Sequence, residues 1–253
     1  MTTIDTFAIG DVHGRADLLE RLLQYIAETA EHPYRIIFLG DLIDRGPDSK
    51  SVVELAIETV NGIPGSKLIL GNHDHFPLRI IDEFAAEHRE RAINHWLFEM
   101  GGKATVLSYG FEPDRFTFDD LVTRFPAGHL AFIRSASPYV ELDRHILVHA
   151  GLSPAVPLED QTLEDLTWIT DPFLAFEGHF PKTVVHGHTV TPRCQPEPFG
   201  DRIGIDTGAY LSGILTAAHL IPGRSFPDFI GTTPKGSSVE NSLFICFPED
   251  DDV

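Results

Sequence analysis

Six side chains that can bind metal ions follow apolar, strand-like runs of this sequence or lie in short loops bounded by glycine. They are Asp11, His13, Asp41, Asn72, His149 and His188. Any one of them alone would be explained by a turn, a helix cap or a satisfied buried histidine, but six in such positions favour a common site. Carboxylate, imidazole and amide oxygen donors without thiolates suit manganese, iron or zinc ions in a reactive centre. The residue types therefore predict a site for divalent metal ions.

The first 80 residues contain three successive units of an apolar run, a polar loop and a further apolar stretch. The runs TFAIG, RIIFLG and SKLILG predict strands, and the aliphatic residues after the first two recur at helical spacing. Three such units predict a parallel sheet with helices on its faces. The polar loops GDVHG, GDLIDRG and GNHD would then meet at the carboxyl ends of neighbouring strands, where sheets of this class place their sites.

The remainder of the chain predicts a helical region followed by further strands. Residues 76–135 are mostly helical in pattern, so we expect an insertion that forms one wall of a cleft. A hairpin of YVEL and HILVHAG comes next, and then the strand TVVHGHT. We assign RIGIDTGAY, GILTAAHLI and SLFICF to a second sheet. The sequence thus predicts an α/β fold, a four-layer sandwich of two mixed β-sheets flanked by helices, as a single domain over residues 1–253.

The composition argues against several classes of protein. Lysine and arginine total 19 against 38 acidic residues, and the net charge of −19 disfavours a broad basic face for nucleic acid. No apolar run approaches the roughly 18 residues of a membrane span, and the start of the chain has no export signal. Because Cys194 and Cys246 form no zinc-binding or disulfide pattern, we expect a reducing compartment, the cytoplasm.

The motifs GDVHG, GDLIDRG, GNHD, HAG and GHT, in this order over residues 10–189, resemble the signature of the metallophosphoesterase superfamily. The chain resembles the phosphoprotein-phosphatase branch in particular and is similar also to symmetrical dinucleoside tetraphosphatases. This resemblance implies a calcineurin-like fold with two divalent metal ions, Mn²⁺ in the first place and Fe or Zn as alternatives. Asp11 and His13 would bind one ion, and Asp41 would bridge both. The second ion would be bound by Asn72, His149 and His188.

The resemblance also implies a hydrolytic mechanism. A hydroxide held between the two ions would attack phosphorus directly, without a covalent intermediate on the enzyme. Arg45 would clamp phosphate oxygens and His73 would protonate the leaving alkoxide, while Asp44 would fix the tautomer of His73. Arg45, Asn72 and His73 would then contact the substrate. The competing interpretation of Arg45 is a surface salt bridge.

The sequence lacks one arginine of the family pattern, and it leaves the choice between two histidine ligands open. Many relatives carry a second phosphate-binding arginine near the position of Thr170, and the candidates to replace it are Arg134, Arg193 and Arg202. In HGHT the family pattern matches His188, but His186 lies two residues earlier and is the alternative ligand.

Three functions follow from these motifs. The leading one is a metal-dependent serine/threonine phosphatase whose substrate is a phosphorylated protein or a small phosphoester, with no obligate partner. The alternative is a symmetrical dinucleoside tetraphosphate hydrolase; its known members tend to have a small residue where this chain has Asp44, so Asp44 favours the phosphatase. The third is a non-enzymatic metal-containing protein that binds phosphorylated partners, which the absence of the second arginine would favour.

Overall fold

The computed structural model describes residues 4–233 and 244–246, which contain two β-sheets. In chain order the strands are β1 (Asp5–Ile9), β2 (Tyr34–Phe38), β3 (Lys67–Leu68), β4 (Tyr139–Glu141), β5 (His145–Val148), β6 (Thr183–His186), β7 (Glu197–Phe199), β8 (Arg202–Gly204), β9 (Thr216–Leu220), β10 (Asp228–Gly231) and β11 (Phe244–Cys246). The first sheet has the order β11-β10-β9-β1-β2-β3, and the second has the order β4-β5-β6-β8-β7. Strands β1, β2 and β3 are parallel, as are β5, β6 and β8.

The helices cover the outer faces of these sheets. They are α1 (Ala16–Thr29), α2 (Ser49–Gly62), α3 (Asn72–Asp82), α4 (Ala86–Phe98), α5 (Gly102–Ser108), α6 (Ala127–Arg134), α7 (Leu163–Trp168), α8 (Asp171–Leu174) and α9 (Ala209–Ser212). Short helical turns occupy Pro113–Arg115, Asp120–Arg124, Leu158–Asp160 and Pro192–Cys194. Within residues 4–233, no helix has the length and hydropathy needed to cross a membrane.

The three predicted strand-loop-helix units are confirmed. Strands β1 and β2 are each followed by a polar loop and then by α1 and α2, whereas β3 leads through a short linker to α3, whose first turn contains the polar residues of GNHD. In α1 the buried residues are Leu18, Leu19, Leu22 and Ile26, a spacing that forms one face of a helix. Helix α2 begins after Asp48, whose side chain accepts a hydrogen bond from the backbone N–H of Ser51. Local sequence signals therefore account for this half of the fold.

Alternation of side chains along the strands creates the layers. In β1, Phe7 and Ile9 face the core formed with helices α1 to α6, whereas Ala8 faces the space between the sheets. In β5, Leu147 lies in the layer between the sheets, and Ile146 packs with α7 and α8 on the opposite face. The predicted arrangement, two mixed sheets face to face with helices outside, is confirmed.

Two strand assignments made from the sequence were wrong. Of the three runs placed in the second sheet, only the start of RIGIDTGAY lies there, as β8. The run GILTAAHLI forms β9, which pairs antiparallel with β1 in the first sheet. For SLFICF, only 244–246 are among the described residues, and they form β11 in the first sheet. Since β9 buries Ala217 on one face and Ala218 on the other, its apolar pattern fits either sheet.

The region 76–135 is helical, as predicted, and contains most of α3 together with α4, α5 and α6. Its aromatic residues other than the exposed Phe98 pack into or against the core beneath the first sheet; Trp96, for example, is fully buried. The single-domain organisation over residues 1–253 stays a prediction.

Candidate metal centre

The loops that follow β2 and β3 pack backbone against backbone. Gly40 has φ of 102°, and a Cβ atom added to it would lie 2.6 Å from the backbone of Gly71, so a side chain at this position would separate the two loops. This close approach lets the backbone N–H of His73 donate to Asp41 Oδ1 at 2.9 Å. The motifs GDLIDRG and GNHD are thereby joined at the carboxyl edge of the first sheet.

The second sheet meets this edge through its own parallel strands. His149 directly follows β5, and His188 comes two residues after β6. A Cβ atom on Gly187 would overlap the carboxylate of Asp11, so glycine is required for the loops to approach. The backbone N–H of His188 donates to both oxygens of Asp11, each at 3.1 Å. Residues from both halves of the chain therefore share one site.

The donor atoms form two groups that share Asp41. One group is His13, Asp41 and His73, the other is Asp41, His149 and His188, and within each group the donor atoms lie within 4.8 Å of one another. Oxygen Oδ2 of Asp41 is 3.5 Å from His13 Nε2, and Oδ1 is 3.5 Å from His149 Nε2. Each oxygen of Asp41 thus faces a different group, an arrangement compatible with a carboxylate that bridges two ions.

The histidine tautomers suit metal binding. His13 Nδ1 donates to the carbonyl of Ile43 at 2.7 Å, and His149 Nδ1 donates to the carbonyl of Leu39 at 2.8 Å. Because Nδ1 carries the proton in both rings, the lone pair of Nε2 points into the site. Orientation of a ligating histidine by a backbone carbonyl is common around protein metal ions.

The surroundings of Asn72 also indicate whether a cation fits between the donor atoms. Its Oδ1 lies 2.9 Å from His149 Nε2 and 3.1 Å from His188 Nδ1. Oδ1 is an acceptor and His149 Nε2 carries a lone pair, so these two atoms would repel each other without a positive centre between them. The cluster of acceptors is therefore suited to a divalent cation.

Burial keeps the imidazoles neutral. It lowers the pKa of His13 to about 3 and that of His188 to about 4, and it also lowers the pKa of His149. All three rings are consequently unprotonated at neutral pH. This is the form that binds metal ions.

The buried carboxylates behave differently from one another. Burial raises the pKa of Asp11, and the neighbouring carboxylates of Asp206 and Asp41 raise it further. Burial would also raise the pKa of Asp41, but the surrounding imidazoles outweigh this effect and hold it below its usual range. The site thus concentrates negative charge that a cation would neutralise.

His73 and Asp44 form a buried pair beside the donor groups. His73 Nδ1 lies 2.8 Å from Asp44 Oδ2. Asp44 also accepts hydrogen bonds from Thr105 Oγ1 at 2.7 Å and from Trp96 Nε1 at 3.0 Å. Burial alone would lower the pKa of His73, yet the charge of Asp41 and the hydrogen bond to Asp44 outweigh it and raise that pKa. Trp96 and Thr105, from the helical region 76–135, therefore hold the carboxylate of Asp44 in place, and Asp44 in turn orients the ring of His73.

Arg45 is the exposed member of the cluster and lies at its entrance. Its guanidinium contacts His13 Nε2 at 3.0 Å and His73 Nε2 at 2.9 Å. The group also lies over the ring of Tyr210, 4.9 Å from its centroid. A positive charge thus already occupies a position beside two imidazole lone pairs, close to where an anionic substrate would enter.

The backbone at the site adopts uncommon conformations. Positive φ values occur at His13 (44°), Asp41 (52°), Asp44 (72°), Arg45 (67°) and His188 (63°). Such a conformation costs of order 1–3 kcal/mol for a non-glycine residue, and it persists where surrounding structure enforces it. Its recurrence at residues of one cluster indicates that the chain is shaped to aim these side chains.

Residues that the sequence left as alternatives lie elsewhere. His186 is buried against Phe173, with ring centroids 5.0 Å apart, and belongs to neither donor group. Arg134 pairs with Asp82, and Arg202 donates to the carbonyls of Leu174 and Phe176. Arg193 lies in the helical turn Pro192–Cys194, and Thr170 precedes α8. Neither Arg134 nor Arg202 is directed to the position of the second arginine.

Sequence reasoning missed Asp206, Trp96, Thr105 and Tyr210. Asp206 is fully buried and lies beside Asp11. Its signal was present, since it directly follows the strand-like run RIGI and lies two residues before Gly208. Trp96 and Thr105 carried no such signal, because they act from helices far along the chain.

Comparison with known proteins places this geometry in context. The model of the calcineurin-like phosphoesterase family matches residues 5–209. A symmetrical bis(5'-nucleosyl)-tetraphosphatase of Legionella pneumophila (strain Corby) is 44% identical over 69 residues, 27% of this chain and 23% of that protein. The enzyme of the same name from Salmonella paratyphi B is 37% identical over 86 residues, 34% of this chain and 28% of that protein. The matched stretches therefore span only about a quarter of each relative.

Solved structures share the fold at low sequence identity. A structure provisionally assigned as a diadenosine tetraphosphatase has a TM-score of 0.61 at 21% identity and covers 93% of this chain and 100% of its own. A protein serine/threonine phosphatase from Saccharomyces cerevisiae has a TM-score of 0.53 at 15% identity, covering 97% of this chain and 79% of its own. Together with the family match over most of its length, these findings show that the chain belongs to the calcineurin-like phosphoesterase family.

Proposed function

We propose that this phosphoesterase hydrolyses phosphomonoesters, with phosphoserine and phosphothreonine in proteins as the substrate class. The observation that carries the proposal is the His73–Asp44 pair, with 2.8 Å between Nδ1 and Oδ2. A positioned acid is most useful when the leaving group is a strongly basic alkoxide, as it is in these two esters. A small phosphoester with an alkoxide leaving group would meet the same requirement.

The proposed metal ligands are Asp11, His13, Asp41, Asn72, His149 and His188. Two divalent cations, when bound, would supply Lewis acidity and lower the pKa of a water molecule. The chain itself contributes neutral, oriented imidazoles and the two-sided carboxylate of Asp41. Because the donors are oxygen and imidazole nitrogen, we propose Mn²⁺ as the native ion, with Fe and Zn also compatible.

Arg45 would bind the phosphate group. Its guanidinium carries several N–H donors in a planar fork, which matches two phosphate oxygens. The ring of Tyr210 supports this guanidinium from one side. On substrate binding, the N–H groups that now contact His13 and His73 would turn to the phosphate oxygens.

His73 would then deliver the proton. Once Arg45 has turned to phosphate, Nε2 of a protonated His73 is free to donate to the leaving alkoxide oxygen, which departs as an alcohol. The ring is left neutral and regains a proton from solvent. Asp44 holds Nδ1 throughout, and Trp96 and Thr105 keep Asp44 in place.

Symmetrical dinucleoside tetraphosphate hydrolysis is the second candidate, and the names of the sequence relatives favour it. That reaction cleaves a phosphoanhydride, whose phosphate leaving group needs little protonation, so an elaborate acid pair would have less use. We therefore rank it below the phosphomonoesterase.

One assay separates the two candidates. A phosphoserine peptide and diadenosine tetraphosphate are hydrolysed side by side with Mn²⁺, and kcat/KM is compared. We expect the peptide to be the better substrate. An advantage of more than about a hundredfold for the dinucleotide, or about 2.7 kcal/mol in transition-state binding, would reverse the assignment.

The non-enzymatic alternative is tested with a generic aryl phosphate. A phosphatase should turn it over only when Mn²⁺ is added, whereas a binding protein should show no metal-dependent turnover. Cytoplasmic location and the lack of an obligate partner remain parts of the proposal.

A further inference from the structure

Asp206 is a buried carboxyl group that the proposed function does not use. Its exposed fraction is 0%. One oxygen, Oδ1, accepts a hydrogen bond from the backbone N–H of Gly208 at 2.9 Å. Among the described residues, no donor reaches the other oxygen, Oδ2. A carboxylate oxygen buried without a donor is costly, so its presence requires an explanation.

The position of Asp206 in the second sheet supplies that explanation. Strands β5, β6 and β8 are adjacent and parallel. His149 follows β5, His188 follows β6, and Asp206 follows β8 two residues after its end. Carboxyl ends of adjacent parallel strands lie at one edge of a sheet. Asp206 therefore continues the row in which two proposed metal ligands already lie.

Charge makes the same point. Asp206 lies within hydrogen-bonding reach of Asp11, and both interact with Asp41. The backbone N–H of His188 serves both oxygens of Asp11. Arg45, at the entrance, is a positive group that acts on both Asp11 and Asp206. The buried carboxylates of Asp11, Asp41 and Asp206 thus concentrate negative charge that a divalent cation would balance.

We propose that Asp206 belongs to the metal centre: its carboxylate, placed beside that of Asp11, supplies negative charge that strengthens the binding of a divalent cation by Asp11 and His13. This inference rests on the metal centre of the proposed function. The competing role is purely structural, with Asp206 serving only to accept the hydrogen bond from Gly208 at the start of α9. Asparagine can make that bond equally well but carries no charge.

The test is Asp206→Asn in the full chain, stripped of metal with a chelator. Mn²⁺ binding is measured by isothermal titration calorimetry. We expect the affinity for the ion bound by Asp11 and His13 to fall about 10- to 100-fold. This is the range typical of substitutions at residues that surround metal ligands. Asp5→Asn is the matched control, because Asp5 is also a buried aspartate with one unpartnered oxygen, at the opposite end of β1. It should leave Mn²⁺ affinity unchanged.

Thermal melting provides a second readout. In Asp206→Asn the Tm of metal-free protein should not fall, since a neutral amide replaces an unpartnered carboxylate, while the rise in Tm on adding Mn²⁺ should shrink. A structural residue would instead lower Tm equally with and without Mn²⁺. Asp206→Ser carries the same expectation for affinity and is used if the asparagine variant does not fold.

The outcomes separate this inference from the proposed function. If Asp206→Asn binds Mn²⁺ as tightly as the wild type does, the proposed role of Asp206 is overturned and the metal centre stands. An equal loss of Tm with and without Mn²⁺ would have the same meaning. Failure of the wild-type protein to bind Mn²⁺ would overturn both.

Discussion

Replacing His73 by asparagine should slow the hydrolysis of alkyl phosphates far more than that of aryl phosphates. The substitution removes the Nε2 group that would protonate the leaving oxygen but keeps a side chain of similar polarity. The backbone N–H of residue 73, which donates to Asp41 Oδ1, is retained. The ring of His73 lies in one donor group, but it is held by Asp44 and is not among the six proposed metal ligands, none of which is altered. Metal content should therefore be unchanged.

The magnitude follows from the role of the buried pair. A positioned general acid contributes typically 10²- to 10⁴-fold, or about 2.7–5.4 kcal/mol of transition-state stabilisation. The donor geometry around Asp44, with hydrogen bonds from His73, Trp96 and Thr105, is that of a fully oriented acid. We expect kcat for a phosphoserine peptide to fall within this range. For an aryl phosphate with a nitrophenol leaving group the loss should stay below about tenfold, because the departing phenolate needs little protonation.

The assay compares kcat for both substrates in wild type, His73→Asn and the control His75→Asn. His75 lies on the same helix but pairs with Glu83, outside the site, so its replacement should leave both rates unchanged. The pH profile adds a check. The pKa of His73 is raised above 6.5, and an acid loses its proton as pH rises through its pKa. An alkaline limb above pH 6.5 should thus appear for the peptide in wild type and vanish in His73→Asn. An equal loss of rate on both substrates would refute the assignment of His73 as the acid.

Three further predictions concern metal binding, substrate binding and stability. Asp41→Asn should abolish activity and lower bound Mn²⁺ together, measured by elemental analysis, because both donor groups share Asp41; activity without bound metal would contradict this. Arg45→Lys should raise KM for a phosphoserine peptide about tenfold, or about 1.4 kcal/mol, with metal content unchanged, because an ammonium group cannot bind two phosphate oxygens in parallel. Phe173→Ala should lower the free energy of unfolding by about 3–5 kcal/mol in urea titration, because the ring is 0% exposed; a loss below about 1 kcal/mol would show that the core closes around the gap.

The parts of the molecule that could be predicted from sequence are those specified locally. The loop GDVHG lies between a strand of alternating apolar residues and a helix with a leucine face, so its place at the end of a parallel strand follows from neighbouring residues. The same logic placed Asp41, Asn72, His149 and His188 near one another, and the structure brings these side chains together.

Features that depend on distant residues could not be predicted. Strand β9 has small apolar residues on both faces, and only its pairing with β1 decides its sheet. The hydrogen bonds of Asp44 come from Trp96 and Thr105, whose positions are set by the packing of α4 and α5. The rotation of Arg45 onto His13 and His73 likewise depends on contacts between separate loops.

Pairing of β1 with β9 has a consequence for synthesis on the ribosome. Thr6 faces Leu220 across the ladder, so one edge of β1 lacks its partner until the chain has emerged through Leu220. Contacts this distant along the chain form slowly, and an unpaired strand edge invites association with other chains. A nascent chain stalled before Thr216–Leu220 would therefore expose the unpaired edge of β1 and lack a complete first sheet. We expect such a chain to depend on chaperones or to be degraded.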